Sequence, residues 1–210
     1  MTGARPRVVV ADSGSGNLRS IEKVLVAVGA DAVVTADADT VAGADKLVVP
    51  GQGAFGACAV ELDQRGGALR QAVLEVIRSG RPFFGICVGM QLLFESSEES
   101  PAARGLGILP GRVRRFVERP GLKIPHMGWN RTARGPARST SVREVPDGDF
   151  FYFVHSYYPD PARAEDVALT SEHGGSFVAA VARDNVFGCQ FHPEKSQAAG
   201  QALLRQFVAS

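Results

Sequence analysis

Short, continuously apolar runs alternate with segments of helical periodicity through the first ninety residues of the chain. The apolar runs read RVVVA (7–11), DAVVTAD (31–37), KLVVPG (46–51) and RPFFGI (81–86). Between the first two runs, residues 18–30 carry apolar side chains at helical spacing. Strands that are apolar along their whole length are covered on both faces, as parallel sheets require. The alternation therefore predicts an α/β fold with a mostly parallel central sheet and helices on both faces.

Beyond about residue 110 the pattern changes to closely spaced β segments. These are GRVRRFVE (111–118), DFFYFVHSYY (149–158), FVAAVARD (177–184) and NVFGCQF (185–191). Asp184 and Asn185 join the last two segments and predict a hairpin turn. Residues 196–210 form a closing helical stripe, and residues 131–149 are the most loop-like stretch. The C-terminal half is therefore predicted to add an antiparallel β extension to the sheet.

The composition indicates a single cytoplasmic domain spanning residues 1–210. The chain is 45% hydrophobic, which suits one compact core. Its net charge of +1 offers no bulk attraction to nucleic acid or to acidic membranes. No apolar run approaches a membrane span or a signal-peptide core. Three cysteines, Cys58, Cys87 and Cys189, are too few and too irregular for a disulfide framework.

Cys87 lies at the end of an apolar strand, between two glycines. Gly85, Cys87 and Gly89 form a G-x-C-x-G pattern that resembles a nucleophile elbow with cysteine in place of serine. Such a turn exposes its central residue at the carboxyl edge of the sheet, where α/β folds bind ligands. The pattern alone leaves two interpretations open, a nucleophile or a small buried apolar side chain.

His192 and Glu194 supply a candidate base and its orienting carboxylate. They are two residues apart in CQFHPEKS, so both side chains lie on one face of an extended segment. A carboxylate beside an imidazole holds its tautomer and stabilises the imidazolium, as in hydrolase triads. By itself H-P-E is more typical of a surface turn. A metal site is not expected, because the cysteines and histidines lack ligand spacing.

GQGAFG (51–56) matches the dinucleotide-binding pattern G-x-G-x-x-G and follows a strand. That fingerprint also needs an acidic residue about 20 positions further on, to reach a ribose. The corresponding residue, Glu75, falls within a pattern typical of a helix surface. Two interpretations remain, a glycine-rich turn or a strip of backbone N–H groups that faces an anion or oxyanion.

Taken together, these motifs resemble those of the class I (triad) glutamine amidotransferases. The matching motifs are P-G-Q-G-A-F-G (50–56), G-I-C-V-G-M-Q (85–91) and H-P-E (192–194). The resemblance implies the three-layer fold of that family, in which Cys87 attacks the amide of glutamine. His192 would protonate the departing ammonia and then activate water, and Glu194 would orient His192.

The resemblance also assigns residues to the oxyanion site and to glutamine binding. Backbone amides of Gly51, Gln52 and Val88 would hold the oxyanion. The residues that match family positions around the substrate are Gly53, Gln91, Glu99, Ser156 and Tyr157. The family often has valine at the position of Gln52. Neither a cofactor nor a metal is implied.

Further motifs resemble one branch of the family, the glutaminase subunits that serve a (β/α)8-barrel cyclase in histidine biosynthesis. These motifs are D-S-G-S-G-N-L-R-S (12–20), K-I-P-H-M-G-W-N (123–130), F-Y-F-V-H-S-Y-Y (151–158) and H-P-E-K-S (192–196). Since 210 residues are too few for this domain plus a barrel of about 250, the cyclase would be a separate chain in a heterodimer. The interface positions would be Asn17, Trp129, Asn130, Tyr152 and Lys195.

Three alternatives remain open on the sequence alone. The first is a glutaminase subunit for anthranilate, aminobenzoate or pyridoxal phosphate synthesis, against which P-H-M-G-W-N argues. The second is a cysteine hydrolase of γ-glutamyl peptides, which needs no partner. The third is a binding module without catalysis, which the intact Cys87, His192 and Glu194 disfavour.

Overall fold

A nine-stranded sheet forms the centre of the molecule, with strand order β2-β1-β3-β4-β12-β11-β10-β7-β8. The computed structural model describes residues 5–14, 16–137 and 147–210, with all of their side chains except that of residue 65. The strands of the sheet are β1 (Arg7–Ala11), β2 (Asp31–Thr35), β3 (Lys46–Gly51), β4 (Phe83–Cys87), β7 (His126–Arg134), β8 (Phe150–His155), β10 (Val167–Glu172), β11 (Ser176–Arg183) and β12 (Val186–Cys189).

The first five strands in this order run parallel, and each of the remaining four pairs antiparallel to its neighbour. All residues of β3, β4 and β12 are buried, as continuous apolar runs predict. A second sheet contains β5 (Ser96–Ser97), β6 (Gly111–Arg115) and β9 (Tyr157–Pro161), in the order β5-β6-β9. The predicted α/β architecture with an antiparallel extension is confirmed.

Within the described residues, five α-helices connect and cover the strands. They are α1 (Leu18–Ala27), α2 (Ala38–Ala42), α3 (Phe55–Arg78), α4 (Val88–Gln91) and α5 (Gln197–Ala209). Helix α1 contacts α5, and α2 contacts α3. The core continues from the sheet into α5. The ring of Phe84 in β4 packs edge-on against Phe187 in β12 and against Phe207 in α5. None of the helices in the described ranges has the length and apolar character needed to cross a membrane.

The hairpin turn is confirmed, since Arg183 pairs with Val186 across Asp184 and Asn185. Asp184 adopts a positive φ of 49° there. The segment DFFYFVHSYY is not one strand, because it divides at Ser156 between β8 of the large sheet and β9 of the small one.

The loop prediction for residues 131–149 is wrong at its start, where β7 extends to Arg134. Pairing with β10 overrides the polar composition, since Thr132 pairs with Ser171 and its side chain is buried. Residues 138–146 of that stretch lie outside the described residues. So does residue 15, within the D-S-G-S-G-N-L-R-S motif.

Parallel strands β3, β4 and β12 are neighbours in the sheet, and their carboxyl ends therefore meet at one edge. Gly51 at the end of β3 pairs with Cys87 at the end of β4. Cys189 at the end of β12 pairs with Ile86. The sheet thus brings together three segments that are far apart in the chain, and the candidate functional residues lie just beyond these strand ends.

Candidate active site

Cys87 occupies a strained turn between β4 and α4. Its backbone has φ 54° and ψ −110°, a region that residues with a side chain rarely adopt. Only one helical turn follows, Val88–Gln91. The geometry is that of a nucleophile elbow, in which the strained residue presents its side chain at the edge of the sheet.

The two flanking glycines are required by close backbone packing. A Cβ placed on Gly89 would lie 1.8 Å from the carbonyl oxygen of Val49 in β3. A Cβ on Gly85 would lie 2.7 Å from the carbonyl oxygen of Gly89. Any side chain at either position would therefore push α4 away from the sheet. The G-x-C-x-G spacing reflects the close packing of this turn against β3 and β4.

His192 lies just beyond β12, and Glu194 fixes its orientation. His192 Nδ1 is 2.9 Å from Glu194 Oε1, and both side chains are almost fully buried. Cys87 interacts with the same imidazole, and both side chains line one cavity. The backbone N–H of His192 donates to the carbonyl of Tyr152, and Ser196 Oγ donates to the carbonyl of His192. Cys87, His192 and Glu194 thus lie together in one buried cluster.

The imidazole of His192 is held in its charged form. Burial alone lowers its pKa, but the interactions with Cys87 and Glu194 outweigh burial and raise the pKa to about 9. At neutral pH the site therefore holds an imidazolium between a sulfur and a carboxylate. This is the arrangement that a cysteine nucleophile with an adjacent acid requires.

A cavity of about 340 Å³ opens beside Cys87. That volume is within the range of small-molecule sites. Its walls include residues from both halves of the sheet. The lining residues are Gln52, Gly53, Cys87, Val88, Gln91, Glu99, Pro125, Val154, His155, Ser156, Tyr157 and His192. Every residue predicted to hold glutamine therefore faces the same cavity as Cys87.

The glycine-rich segment after β3 runs along this cavity. Gly51 packs so closely against α4 that a Cβ would lie 2.8 Å from Val88 Cβ, and Gly53 has a positive φ of 86°. Glu75, which a dinucleotide site would need near a ribose, lies exposed on α3. The segment thus begins beside Cys87, which pairs with Gly51 in the sheet, and this favours the oxyanion interpretation over dinucleotide binding.

Glu99 has a second contact that its sequence context, ESSEES, did not reveal. Its Oε2 accepts a 2.7 Å hydrogen bond from the backbone N–H of Phe55, at the start of α3. Ser100 Oγ accepts from the next amide, that of Gly56. Residues of a distant loop therefore cap α3, whose own N-cap residue, Ala54, has no capping side chain. Glu99 both lines the cavity and anchors the helix that follows the glycine-rich segment.

Two glutamines, Gln91 and Gln190, form a hydrogen-bonded chain that leads from Tyr157 to Cys87. Gln91 Nε2 is 3.3 Å from the carbonyl oxygen of Tyr157 and 3.0 Å from Gln190 Oε1. Gln190 Nε2 in turn is 3.5 Å from Cys87 Sγ. Sequence analysis assigned no role to Gln190. The signal was present, because Gln190 is a polar residue in an apolar segment and lies two positions before His192.

Two further buried histidines lie next to this site, and one of them, His155, lines the cavity. His155 Nδ1 lies 2.8 Å from the carbonyl of Tyr157, and its Nε2 lies 2.9 Å from His126 Nδ1. Burial is the main cause that lowers the pKa of His155 to about 3 and that of His126 to about 4. The ring of His126 also stacks on His173 and lies against Phe153. At neutral pH these two imidazoles are therefore uncharged, whereas that of His192 is charged.

Three of the five predicted interface residues lie together on the surface. Trp129 is 47% exposed and packs edge-on against the ring of Tyr152. Lys195 Nζ lies 5.8 Å from the centre of the same ring. Asn130 instead donates to the backbone carbonyl of Glu172. Asn17 precedes α1, where its carbonyl accepts from the amides of the first turn.

Comparisons with known proteins identify the class of molecule that this fold and site define. The chain belongs to the class I glutamine amidotransferase family, whose family model matches residues 9–210. It superimposes on PurLQS from Thermotoga maritima with a TM-score of 0.76 at 19% identity, covering 98% of this chain and 99% of that one. Another structure, described as a glutamine amidotransferase, gives 0.72 at 21% identity, covering 96% and 97%. At these identities the structures show the fold alone.

Closer sequence relatives carry a more specific name. The chain is 47% identical to imidazole glycerol phosphate synthase subunit HisH of Gloeobacter violaceus, covering 97% of this chain and 89% of that protein. It is 48% identical to the subunit of the same name from Geobacter metallireducens, covering 97% and 98%. The family resemblance seen in the motifs is thereby confirmed.

Proposed function

We propose that this chain is the glutaminase subunit of an imidazole glycerol phosphate synthase, and that it hydrolyses glutamine to glutamate and ammonia. The observation that carries the proposal is the cluster of Cys87, His192 and Glu194, in which Glu194 orients His192 at the cavity of about 340 Å³ that Cys87 also lines. Relatives at 47–48% identity over nearly the whole chain share that subunit name. The motifs and the relatives therefore indicate the same substrate.

The first half of the reaction forms a thioester. The Cys87 thiolate attacks the side-chain carbonyl carbon of glutamine, and the carbonyl oxygen becomes an oxyanion. The carbon–nitrogen bond then breaks while the His192 imidazolium donates its proton to the leaving nitrogen. Ammonia departs, and a γ-glutamyl thioester remains on Cys87. The raised pKa of His192, about 9, supports its role as an acid at neutral pH.

The second half removes the glutamyl group. Neutral His192 accepts a proton from water, whose oxygen attacks the thioester carbonyl. The carbon–sulfur bond breaks, glutamate leaves, and the thiolate and imidazolium are restored. Glu194 keeps Nδ1 of His192 oriented in both halves, so the other nitrogen always faces the sulfur.

Backbone amides stabilise the oxyanion in both steps. The N–H of Val88 follows the nucleophile directly, as in other elbows. Gly51 and Gln52 lie on the other side, because Gly51 pairs with Cys87 in the sheet. Loss of one such donor costs about 3 kcal/mol of transition-state stabilisation. The valine common at the position of Gln52 supplies the same backbone N–H, so the side-chain difference is compatible with this role.

The amino-acid end of glutamine is held at the far end of the cavity. The carboxylate of Glu99 suits an α-ammonium group, and the Ser156–Tyr157 backbone and Gln91 supply further polar contacts around it. Since Glu99 also caps α3, substrate binding and the position of the glycine-rich segment share one side chain. Gly53 adopts a positive φ, and because it has no side chain the backbone can pass close to the substrate.

The ammonia is passed to a separate (β/α)8-barrel cyclase in a heterodimer. In water at neutral pH ammonia would be protonated and lost as a nucleophile, so its transfer needs a sealed passage between the subunits. The exposed ring of Trp129 beside Tyr152 and Lys195 supports an interface there, since aromatic rings are typical anchors of protein interfaces. The cyclase would use the ammonia to make imidazole glycerol phosphate and an aminoimidazole carboxamide ribonucleotide.

A glutaminase assay with and without the cyclase tests the proposal. Glutamate release from glutamine should rise strongly when the cyclase and its nucleotide ligand are added, and Cys87→Ala should abolish it. Equal rates with and without the cyclase would sink the partner claim. Turnover of γ-glutamyl peptides by the isolated chain, with none of glutamine, would favour an unpartnered hydrolase instead.

A further inference from the structure

Gln190 is a fully buried polar side chain that contacts the nucleophile directly. It follows β12 and is 0% exposed. Its backbone N–H donates to the carbonyl of Ala179, so the main chain is held by β11. Its side-chain amide lies between Cys87 Sγ at 3.5 Å and the amide of Gln91 at 3.0 Å. A buried amide placed against a reacting sulfur needs an explanation beyond packing.

The neighbouring carbonyl fixes which end of each amide faces the sulfur. The carbonyl oxygen of Tyr157 can only accept, so the group of Gln91 beside it is Nε2. The same Nε2 also faces Gln190, and the atom of Gln190 that meets it must therefore be the acceptor Oε1. That leaves Nε2 of Gln190 toward Cys87. The Gln91 amide thus donates to both Tyr157 and Gln190, and the Gln190 amide donates toward the sulfur.

We infer that Gln190 is a further catalytic residue, whose Nε2–H donates a hydrogen bond to the sulfur of Cys87 and stabilises its thiolate form. Gln91 is a positioning residue for this contact, because it sets the orientation of the Gln190 amide. The inference rests on the proposed function in assigning Cys87 as the nucleophile, and it adds a donor that the triad does not contain.

The contact has a clear chemical use. His192 approaches the sulfur from one side, and Gln190 supplies a second, neutral donor. Two donors in fixed positions hold the thiolate in one rotamer, which a strained turn at φ 54° does not secure by itself. A hydrogen bond to an ionised group is stronger than one to a neutral group, so it favours the thiolate over the thiol. Unlike His192, an amide keeps its donor throughout the reaction.

Alkylation of Cys87 by iodoacetamide in the isolated full-length chain tests the inference without glutamine or a cyclase. Two variants separate the donor from packing. Gln190→Met fills a similar volume but has no N–H donor, and Gln190→Glu keeps an acceptor for Gln91 while placing carboxylate oxygen against the sulfur. Rates are measured across pH 5 to 10, with Cys87→Ser as the blank for the other two cysteines.

Removal of the donor should slow alkylation by about tenfold in Gln190→Met at pH values below the midpoint of the profile, and by more in Gln190→Glu. The pH of half-maximal rate should move upward by about one unit in the methionine variant. With the cyclase present, kcat for glutamine should fall by a similar factor while KM changes less than about twofold, because Gln190 contacts the nucleophile and not the substrate.

Gln201→Met is the matched control, since it makes the same change at an exposed position of α5. It should leave the alkylation profile unchanged. A folded Gln190→Met protein with a wild-type profile would overturn the inference, and so would loss of folding in both Gln190 variants, which would make the residue purely structural. Absence of glutaminase activity in the wild type, with the profile still shifted in the variants, would count against the proposed function alone.

Discussion

Two buried histidines line the same cavity, and they are in opposite protonation states. His192 and His155 are 2% and 6% exposed, so burial does not distinguish them. The partners do, because His192 lies between a carboxylate and a sulfur, whereas His155 lies between a backbone carbonyl and another imidazole. The pKa of His192 is raised to about 9, and that of His155 is lowered to about 3.

The contrast extends to the regions that carry them. The carboxyl ends of β3, β4 and β12 assemble charge and backbone donors around Cys87. The β7–β8 pair supplies neutral imidazoles and aromatic rings on its inner face and the exposed Trp129 on its outer one. One region is therefore suited to chemistry, and the other to forming the wall of the cavity and an outer contact surface.

The largest expected effect distinguishes the two histidines by activity. His192→Gln should lower cyclase-activated glutaminase activity by at least about a thousandfold, because it removes the acid and base. His155→Gln should lower it by no more than about tenfold, chiefly through KM, because His155 supports the Tyr157 backbone. Steady-state kinetics on both variants measure the difference. Equal losses in kcat would contradict the assignment of separate roles.

The second prediction compares a glycine from each region. Gly89→Ala should destabilise the fold by about 3 kcal/mol or more, because its Cβ would meet the Val49 carbonyl at 1.8 Å. Gly128→Ala, on β7, meets no atom within 4 Å and costs only the strain of its positive φ of 131°, about 1 to 2 kcal/mol. Urea midpoints of the two variants measure the free energies of unfolding. A smaller loss for Gly89→Ala than for Gly128→Ala would show that the turn can relax.

The strand ends around Cys87 were much more predictable from the sequence than the β7–β8 pair. Strand β3 has the predicted bounds, and β4 begins two residues later than the apolar run and ends at Cys87. Local signals sufficed there, because flanking glycines and continuous apolar runs each have one structural meaning. The family resemblance and the function it implied are confirmed by the relatives. The roles of individual site residues remain predictions.

What the sequence did not reveal depends on pairing between distant segments. Strand β7 extends into a polar stretch because β10 pairs with it. Glu99 caps α3 from 44 residues away, and Gln190 reaches Cys87 across 103 residues. No local pattern encodes such contacts. The opposite protonation states of His155 and His192 were likewise not predictable, because they depend on neighbouring groups that only the fold brings together.

The third prediction concerns stability against pH, where the two kinds of histidine act with opposite sign. His126 has a folded pKa of about 4, below the ordinary 6.5, so the unfolded state binds more protons as pH falls. Its contribution is present above about pH 6.5 and is lost toward pH 4. His192, with its pKa raised to about 9, stabilises below about pH 6.5 and loses that contribution as pH rises through 9.

Chemical denaturation from pH 4 to pH 9.5 measures both limbs. His126→Gln should flatten the acid limb by about 2 kcal/mol, because glutamine keeps hydrogen-bonding groups without titrating. His192→Gln should flatten the alkaline limb and leave the acid limb as it is. An acid limb of unchanged slope in His126→Gln would show that other groups, and not the neutral imidazoles, cause acid destabilisation.

The smallest expected effect tests the outer surface of the β7–β8 pair. Trp129→Ala should weaken binding to the cyclase by about tenfold, the effect of losing one exposed aromatic anchor. It should change the free energy of unfolding of the isolated chain by no more than about 0.5 kcal/mol, because nearly half of the side chain already contacts water. Val60→Ala, which removes a second exposed apolar side chain, one on α3, is the control for the loss of apolar surface.

Calorimetric titration with the cyclase measures the affinity. A loss of stability without a loss of affinity would make Trp129 a packing residue. The β7–β8 pair would then serve only as the wall of the catalytic cavity, and the docking surface would have to lie elsewhere.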